Sequence, residues 1–477
     1  MNSKDVLRKL YKLKKTMPDL MIKELSYGLF STVYVVAIET VCSTDRINDF
    51  ILKFFGNKRN SAKKNININK DLQQFVPGIN KKTIKDFDNL LYFLFSGFTV
   101  IIYDETFLAF ETRASIDRGV NPPTSEPVTR GPKDSFNENY NTNLGLIRKR
   151  VKSKDLIIEE LTVGRESKSK VAVIYMGNIC DINVANKIIK DIEDIDIDGV
   201  FDINYVKELI RNQNYTFFPT MIVSEKPDDT SKNLLDGKII VMMENSPEVL
   251  LLPTFFINFF QNNEDYYRKP FFATFVRIIR ILSFFTSIIL PALFLSLLTY
   301  DQEILPTSLM INFAAQRNNI PFPTIVELCI LLFIFEIIYE GDARTPSSNS
   351  TSLSILGALV LGDAAVNAGL ISPIVVIVVA ISSITSLLSV FQEMQTPIRF
   401  WRYMLLIFVL FFGIVGFCVG CTLLLINLCT IESYGKSYLS PFVPFDLQAQ
   451  GNAVIRRNLR HLKFRKSYLS NNHVRKG

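Results

Sequence analysis

The chain has 477 residues, 48% of them hydrophobic, and its 53 basic and 46 acidic residues give a formal net charge of +7. Its two histidines, His461 and His473, lie near the C-terminus, so the rest of the chain lacks the side chain used in most catalytic triads, metal sites and proton shuttles. The six cysteines have no spacing typical of a disulfide framework. Composition therefore favours neither an enzyme nor a metalloprotein, and we expect no cofactor.

The N-terminal half is typical of globular protein, whereas most long apolar runs follow residue 280. We expect a first subdomain over 1–56, a polar linker over 57–72 and an α/β or α+β subdomain with a mixed sheet over 73–247. The basic N-terminus has no apolar core of signal-peptide length, so we expect this half to be cytoplasmic. The apolar patterns of the second subdomain predict a hairpin over 98–112, strands over 170–177, 219–225 and 237–244, and a helix over 184–195.

The stretch "EPVTRGPKDSFNENYNTNLGLIRKR", residues 126–150, combines a proline-bounded loop with a predicted helix. Ser135 precedes Glu138 by three residues, a capping-box pattern that predicts a helix start there. Two interpretations of the loop stay open. Its cations could bind an anion beside the helix N-terminus, or its charged rim could contact a neighbouring domain. The second is favoured, and its candidate residues are Glu126, Arg130, Gly131 and Lys133.

Residues 248–280 are predicted to form an amphipathic juxtamembrane segment, with 248–260 lying along the membrane interface. A helical membrane domain is expected over 281–430. Its first span, 281–300, has 20 residues without a charge, and Pro291 should kink it. Arg277 and Arg280 precede this span, and acids follow it. By the positive-inside rule, the span should run outward from the cytoplasm.

The second predicted span, 324–339, contains Glu327 and Glu336, and Glu340 follows at its end. A carboxylate at membrane depth costs about 2.5–3.5 kcal/mol on insertion scales, so it should face protein or water. Two interpretations stay open: these acids line a polar path, or they are structural partners of Arg344 or an amide. Glu336 and Glu340 share one helix face, and Glu327 points to another.

The stretch "LSILGALVLGDAAVNAGLISPIVVIVVAIS", residues 353–382, is apolar, yet Asp363 and Asn367 lie one helical turn apart on the same face. Small residues in the same stretch would allow close helix packing, and the relevant pairs are Ala358 with Gly362 and Ala365 with Gly369. A polar stripe on a tightly packed helix is typical of a water-filled path. A buried structural role for Asp363 is the alternative.

The last long apolar run, 404–429, contains Gly413 and a packing pair, Gly416 with Gly420. The apolar runs give four or five spans, and if both termini are cytoplasmic the number must be even, which would make 353–371 re-entrant. The tail 431–477 is basic, and we expect it to face anionic lipid headgroups rather than nucleic acid.

Several ordered blocks together resemble the A subunits of spore germinant receptors, the GerA family. The resemblance runs from about residue 80 to 445. Its blocks are 126–150, "FPTMIVSEKPD" (218–228), "NNEDYYRKP" (262–270), "LPALF" (290–294), "RNNIPFPTIVE" (317–327), 352–373 and "SYGKSYLSPFVP" (433–444).

This resemblance implies a signal-transducing receptor subunit in the spore inner membrane with its N-terminal domain in the cytoplasm. It implies a homo-oligomeric ring that acts as a ligand-gated channel for monovalent cations. The implied partners are a transporter-like B subunit that binds the nutrient and a lipoprotein C subunit. On this basis we expect 355–371 to line the pore, with Asp363 and Asn367 facing it and Glu336 as a second candidate. The alternatives are a non-conducting scaffold that relays the partner's state and a paralogous accessory channel.

Overall fold

The computed structural model describes residues 2–27, 31–53, 81–84, 86–114, 130–210, 216–318, 320–344, 362–470 and 474–475. The chain divides into two units. The sheet unit comprises Met1–Gln213, Met221–Thr254 and Arg460–Gly477, and the helical unit comprises Asn214–Thr220 and Phe255–Leu459. The predicted linker 57–72, Glu126 and Ala358 lie outside the described residues.

The first sheet of the sheet unit has five strands, all paired antiparallel, in the order β1-β2-β4-β5-β3. Alternation along the strands buries both faces: Val33 and Val35 belong to one core and Val36 and Ile38 to the other. Helices α1 and α2 contribute to the second core. The bounds are α1 Ser3–Lys14, β1 Leu20–Tyr27, β2 Ser31–Ile38, β3 Lys81–Thr83, α2 Phe87–Phe95, β4 Phe98–Tyr103 and β5 Thr106–Glu111.

The second sheet, also of five antiparallel strands, has the order β6-β7-β9-β10-β8. Its strands β9 and β10 are buried along their whole length, which explains their unbroken apolar sequences. The bounds are α3 Tyr140–Arg150, β6 Leu156–Val163, β7 Ser169–Met176, α4 Ile182–Glu193, α5 Ile203–Leu209, β8 Ile222–Ser224, α6 Pro227–Asp236, β9 Ile239–Met243 and β10 Val249–Leu252.

The predicted strands and the helix of this region are confirmed, but their grouping differs from the prediction. The pairings found are antiparallel, so the expected mixed sheet was wrong and the unit is of the α+β type. The hairpin 98–111 belongs to the first sheet, where β4 pairs with β2. Residues 249–252 were predicted to lie along a membrane interface, but they form the buried strand β10. The prediction was wrong because an apolar run of this length suits a buried strand and a membrane interface equally.

Helix α3 begins at Tyr140, not near Ser135, so the predicted capping box was wrong. Asn139 is the N-cap and accepts a hydrogen bond from the Thr142 amide at 3.0 Å. Upstream, the Asn143 side chain accepts from the Asn137 amide at 2.8 Å and donates to its carbonyl, holding the chain extended before the helix. An asparagine network thus outcompetes the Ser–Glu pattern.

A buried ion pair joins the α3 region to the first sheet. Arg148 is fully buried and contacts Asp19 through two hydrogen bonds, Nε to Oδ2 at 3.1 Å and Nη2 to Oδ1 at 2.9 Å. Thr40 donates to the same Oδ2 at 3.0 Å, and the guanidinium lies over the Phe95 ring. Because each buried charge is matched, the pair fixes the position of α3 within the sheet unit.

The end of the C-terminal tail, from Arg460 onward, belongs to the sheet unit, and the expectation that the basic tail faces lipid headgroups stays a prediction. Arg465 donates to the Leu235 carbonyl at 2.9 Å, and Arg475 pairs with Asp236 at 2.5 Å. Ser470 donates to the Ile179 carbonyl at 2.7 Å. At least two cations of the tail therefore have partners in this unit.

Lys238 lies buried at the start of β9, close to this segment. Burial, with repulsion from Lys466 and Lys232, lowers the pKa of Lys238 to about 7 against the opposing attraction of Asp229 and Asp236. The environment of the buried Lys238 side chain thus disfavours its charged form.

The helical unit is built mainly from apolar helices. Its bounds are the 3₁₀ turns Phe256–Phe260 and Asn263–Tyr266, α7 Pro270–Thr299, α8 Thr307–Arg317, α9 Thr324–Arg344, α10 Pro373–Leu387 and α11 Gln395–Thr430, followed by the two-residue strands β11 Glu432–Ser433 and β12 Lys436–Ser437. Within the described residues, two stretches are long and apolar enough to cross a membrane, Pro270–Thr299 and Gln392–Thr430.

The second of these stretches is not one continuous span. Gly413, inside α11, has φ 57° and ψ −136°, and the helix reverses there. A side chain at Gly420 would meet Leu405, fifteen residues earlier, at 2.4 Å. We call the two arms α11a (395–412) and α11b (414–430). The expectation of a single span over 404–429 was therefore wrong, because glycine adopts a backbone conformation that other residues resist.

Replacing Arg148 with Met is expected to destabilise the protein by about 3–5 kcal/mol, because Asp19 would stay buried without its counter-ion. Removing both charges in Asp19→Leu/Arg148→Met should recover part of the loss. The readout is the unfolding midpoint of the purified full chain. Arg165→Met is the matched control, since Arg165 pairs with Asp196 on the surface and should show no measurable change. Equal effects of the two single variants would contradict the assignment.

Replacing Lys238 with Met is expected to stabilise the protein at pH 7 and to flatten its pH dependence. The ordinary pKa of 10.5 exceeds the folded value of about 7, so the unfolded chain binds more protons between these values and wild-type stability rises with pH there. The slope is at most about 1.4 kcal/mol per pH unit. Unfolding midpoints from pH 6 to 10 measure it, with the exposed Lys187→Met as control. A wild-type midpoint that does not rise over this range would refute the prediction.

Candidate functional site

Asp363 and Asn367, the two residues of the predicted polar stripe, lie on a helical segment, residues 362–367, just before α10. Asp363 and Asn367 are both exposed in the single chain. Gly362 faces α10, where an added Cβ would lie 3.8 Å from Val376. Gly369, with φ 65°, ends the segment, and Ala365 is half-buried. The stripe thus points away from the packed side of the segment.

Glu327 has a different place. Its side chain is fully buried and its Oε2 accepts hydrogen bonds from the Ser372 amide and hydroxyl, both at 2.8 Å. Ser372 is the N-cap of α10, so the α9 carboxylate binds the start of α10. The other oxygen, Oε1, lies 4.0 Å from Arg317 Nε. Glu327 is therefore a structural anchor in this chain.

Glu336 is also paired within the chain. It accepts from Arg399 Nε at 2.7 Å, and the Arg399 guanidinium lies 4.9 Å from the centre of the Tyr339 ring. The partner of Glu336 found among the described side chains thus lies on α11a. Glu340, on the same helix face, is exposed. Of the predicted polar candidates, Asp363 and Asn367 are thus the pair left exposed together on one segment.

A backbone carbonyl in α7 joins three helices, and the sequence reasoning missed it. Pro291 has no amide hydrogen, so the Ser287 carbonyl loses the helical donor four residues on. This buried oxygen instead accepts from Arg402 Nε at 3.0 Å and from Ser382 Oγ at 2.8 Å. The proline was the available signal, because a helical proline always leaves such a carbonyl to be satisfied.

The reversal at Gly413 depends on close contact between the two arms of α11. A Cβ at Gly416 would lie 2.1 Å from the Phe408 carbonyl oxygen, and Gly413 itself sits against the Tyr300 ring. The Tyr300 hydroxyl donates to the Leu410 carbonyl, next to the turn. Gly416 and Gly420 therefore form a packing face toward α11a of the same chain.

The block 262–270 organises a second polar centre in the helical unit. Asp265 accepts from Arg277 Nε at 2.7 Å and from Arg280 Nη1 at 3.1 Å. Arg277 Nη1 also donates to the carbonyls of Asn452 and Ala453, each at 3.2 Å. Both arginines were expected to flank a membrane span as cytoplasmic charges, but Arg277 is buried and neutralised here.

The loop predicted as an anion or interface site is exposed at Arg130, Gly131 and Lys133. The next residue, Asp134, accepts two hydrogen bonds from Arg150, at 2.8 and 2.6 Å, which ties the loop to the end of α3. Within the described residues, these three positions stay on the surface of the sheet unit.

Comparisons with known proteins agree with the resemblance. The sequence profile described as "Bacillus/Clostridium GerA spore germination protein" matches residues 8–468. Spore germination protein KA of Bacillus subtilis (strain 168) is 33% identical over 442 residues, 92% of this chain and 81% of that protein. The uncharacterized membrane protein YfkQ of the same organism is 30% identical, covering 93% and 86%. Spore germination protein GerLA of Bacillus cereus is 28% identical, covering 94% and 92%.

Among solved structures, the crystal structure of the N-terminal domain of the A subunit of the Bacillus megaterium spore germinant receptor GerK3 matches with a TM-score of 0.41 and 26% identity. It covers 52% of this chain and 94% of that one.

The two units define a protein with an α+β part and a helical part that contains two stretches long and apolar enough to cross a membrane, the second of which reverses at Gly413. The profile match spans nearly the whole sequence. The chain therefore belongs to the GerA family of spore germination proteins.

Replacing Gly416 with Ala is expected to lower the free energy of unfolding by about 1–3 kcal/mol, because the added methyl group would overlap a backbone oxygen of the opposite arm. The matched control is Gly341→Ala on α9, where no atom lies within 4 Å of the added Cβ. Alanine is the better helix former, so this variant should be neutral or stabilised. Thermal unfolding of the detergent-solubilised chain measures both, and equal shifts would rule out the reversal at Gly413.

Proposed function

We propose that this protein is the A subunit of a nutrient germinant receptor in the spore inner membrane and that copies of it assemble into a ring that conducts monovalent cations. The sheet unit is cytoplasmic in this proposal. Nutrient bound by a transporter-like B subunit opens the ring, a lipoprotein C subunit completes the receptor, and ion release starts germination. The role is that of a signal transducer and not of an enzyme.

The observation that carries the proposal is the exposure of Asp363 and Asn367 among apolar residues. A carboxylate facing lipid costs several kcal/mol and persists where it meets water or protein instead. Other acids of the helical unit, Glu327 and Glu336, have partners within the chain. The stripe therefore suits a surface that other copies cover or that water fills.

A ring of such stripes would favour cations. Repeated carboxylates around an axis raise the local cation concentration and repel anions, and the Asn367 amide, one turn further, offers an oxygen that replaces part of an ion's hydration shell. Ala365, half-buried on the same segment, permits the close approach of helices that a narrow ring requires.

The helices of this unit supply the membrane spans of the proposed ring. Helices α7 and α9 reach about 45 and 30 Å at 1.5 Å per residue, and α11a, α11b and α10 reach about 22–27 Å each. The reversal at Gly413 returns the chain to the side from which α11a starts. Four or five crossings fit these lengths, and the parity of the crossings follows from whether α10 and the 362–367 segment form one re-entrant element.

The test is cation flux through the purified receptor in liposomes. Asp363→Asn should lower the preference for cations over anions, and Asp363→Lys should reduce potassium flux about tenfold or more, because the ring would repel cations. Glu303→Gln, an exposed acid after α7, is the matched control and should leave flux unchanged.

Unchanged flux in both Asp363 variants would defeat the pore assignment. A wild-type receptor that conducts nothing yet supports germination would instead favour the non-conducting relay. Conduction by the chain without a transporter-like partner, together with germination responses that need no such partner, would favour the accessory channel.

A further inference from the structure

Helix α1 carries a basic surface that the proposed ring does not use. Residues 2–15 contain six cations and one acid, which gives a local charge of +5 in a chain whose net charge is +7. All six cations are exposed. The opposite side of the helix is fixed, because Val6 and Leu10 are buried in the second core of the first sheet. The fold therefore holds the charged side of α1 outward. The six cations are Lys4, Arg8, Lys9, Lys12, Lys14 and Lys15.

Four of these cations lie in one row. Lys4, Arg8 and Lys12 are spaced four residues apart, so they follow one another along one side of the helix, and Lys15 extends the row. From Lys4 to Lys15 the row is about 16 Å long at 1.5 Å per residue. Tyr11, which is 47% exposed, lies beside it. We call these five residues the basic face of α1.

No contact within the described part of the chain neutralises this row. Among the described residues, none of its four cations forms an ion pair, whereas Arg475 in the tail pairs with Asp236. Cations spaced four residues apart repel each other and destabilise a helix. The helix dipole favours cations at the C-terminal end, where Lys12 and Lys15 lie, but it disfavours Lys4 in the first turn. The row thus lowers the stability of α1, and an anionic partner would restore it.

The shape of the basic face excludes a small anion as the partner. The cations project from a convex helix and spread over about 16 Å, so a single phosphate would contact only part of the row. The partner must present negative charges over an extended surface, as anionic lipid headgroups do. An exposed tyrosine beside cations is typical of a membrane interface. The same chain contains apolar stretches long enough to cross a membrane, which would keep a bilayer at high effective concentration. These observations favour a bilayer over a nucleic acid, which would bind from solution.

We propose that the basic face of α1 binds the anionic headgroups of the bilayer to which the same chain is attached. Its four cations contact lipid phosphates, and the Tyr11 ring lies at headgroup level. The contact ties the sheet unit to the membrane surface and relieves the repulsion within α1. Its strength depends on the fraction of anionic lipid and on salt. The inference rests on the membrane attachment in the proposed function but requires neither conduction nor a ring, so its failure would leave the cation-flux test unaffected.

The test is acetylation of lysines in the purified full chain in lipid nanodiscs, which expose both membrane surfaces. The discs contain phosphatidylcholine alone or with about 30% phosphatidylglycerol, which is the probe. Lys4, Lys12 and Lys15 should react about threefold more slowly or less in the anionic discs, because headgroups cover them. Exposed Lys190 on α4 is the internal control and should react equally in both. Salt at about 1 M, where the Debye length is about 3 Å, should cancel the difference. Mass spectrometry measures each lysine.

A double variant separates the row from the rest of the surface. Arg8→Gln/Lys12→Gln removes two exposed cations, should keep the wild-type unfolding midpoint, and leaves Lys4 and Lys15 as reporters. Each cation contributes about fivefold to binding at an anionic surface, so the contact should weaken about 25-fold and the protection of both reporters should disappear. Arg8→Lys keeps the charge and should keep the protection, which distinguishes an effect of charge from one of side-chain shape.

The matched control, Lys154→Gln/Lys190→Gln, removes two exposed cations elsewhere in the sheet unit and should leave the protection of the basic face as in the wild type. The proposal is overturned if the lysines of the basic face react equally in neutral and anionic discs, or if Arg8→Gln/Lys12→Gln keeps full protection. A DNA duplex of about 20 base pairs, added to neutral discs, should protect these lysines less than phosphatidylglycerol does. Equal or greater protection by the duplex would identify a nucleic-acid surface instead and would also overturn it.

Discussion

The helical unit depends on how one backbone oxygen is satisfied. Pro291 cannot donate to the Ser287 carbonyl, and a buried carbonyl without a donor costs about as much as a lost hydrogen bond. Arg402 on α11a and Ser382 on α10 provide the donors, so one atom of α7 holds two other helices in place. The arrangement also solves the opposite problem, since the buried guanidinium of Arg402 needs an acceptor. The carbonyl that Pro291 leaves without a helical donor thus links α7, α10 and α11a through hydrogen bonds.

The charged groups of this unit are of two kinds: some are satisfied by partners in the same chain, and others are exposed. Glu327 and Glu336 are matched by donors of the same chain, at Ser372 and Arg399, and they position helices. Asp363, in contrast, is exposed beside apolar residues. A single chain can therefore fold with its internal charges satisfied and still present a polar stripe outward. This separation is what connects the fold to the proposed ring, because assembly can use the stripe without breaking the contacts that hold each subunit.

Local patterns along the chain predicted several elements well. The hairpin 98–111 follows from two alternating apolar runs around a polar turn. Local patterns did not predict the structure correctly where two environments favour the same residue types. Residues 249–252 form a buried strand although their apolar run equally suits a membrane surface. The start of α3 was misplaced because Asn139, and not Ser135, caps the helix, while Asn143 binds the backbone of Asn137 before it.

The sequence by itself determined the family, the division into a globular and an apolar half, and the presence of acids in apolar segments, because these depend on composition and on patterns of a few neighbouring residues. Only the tertiary structure decided which strands share a sheet, which acid has a partner and where α11 reverses. These depend on contacts between residues far apart in the chain, such as Asp19 with Arg148 or Glu336 with Arg399, and a one-dimensional pattern does not specify the partner that satisfies a buried charge.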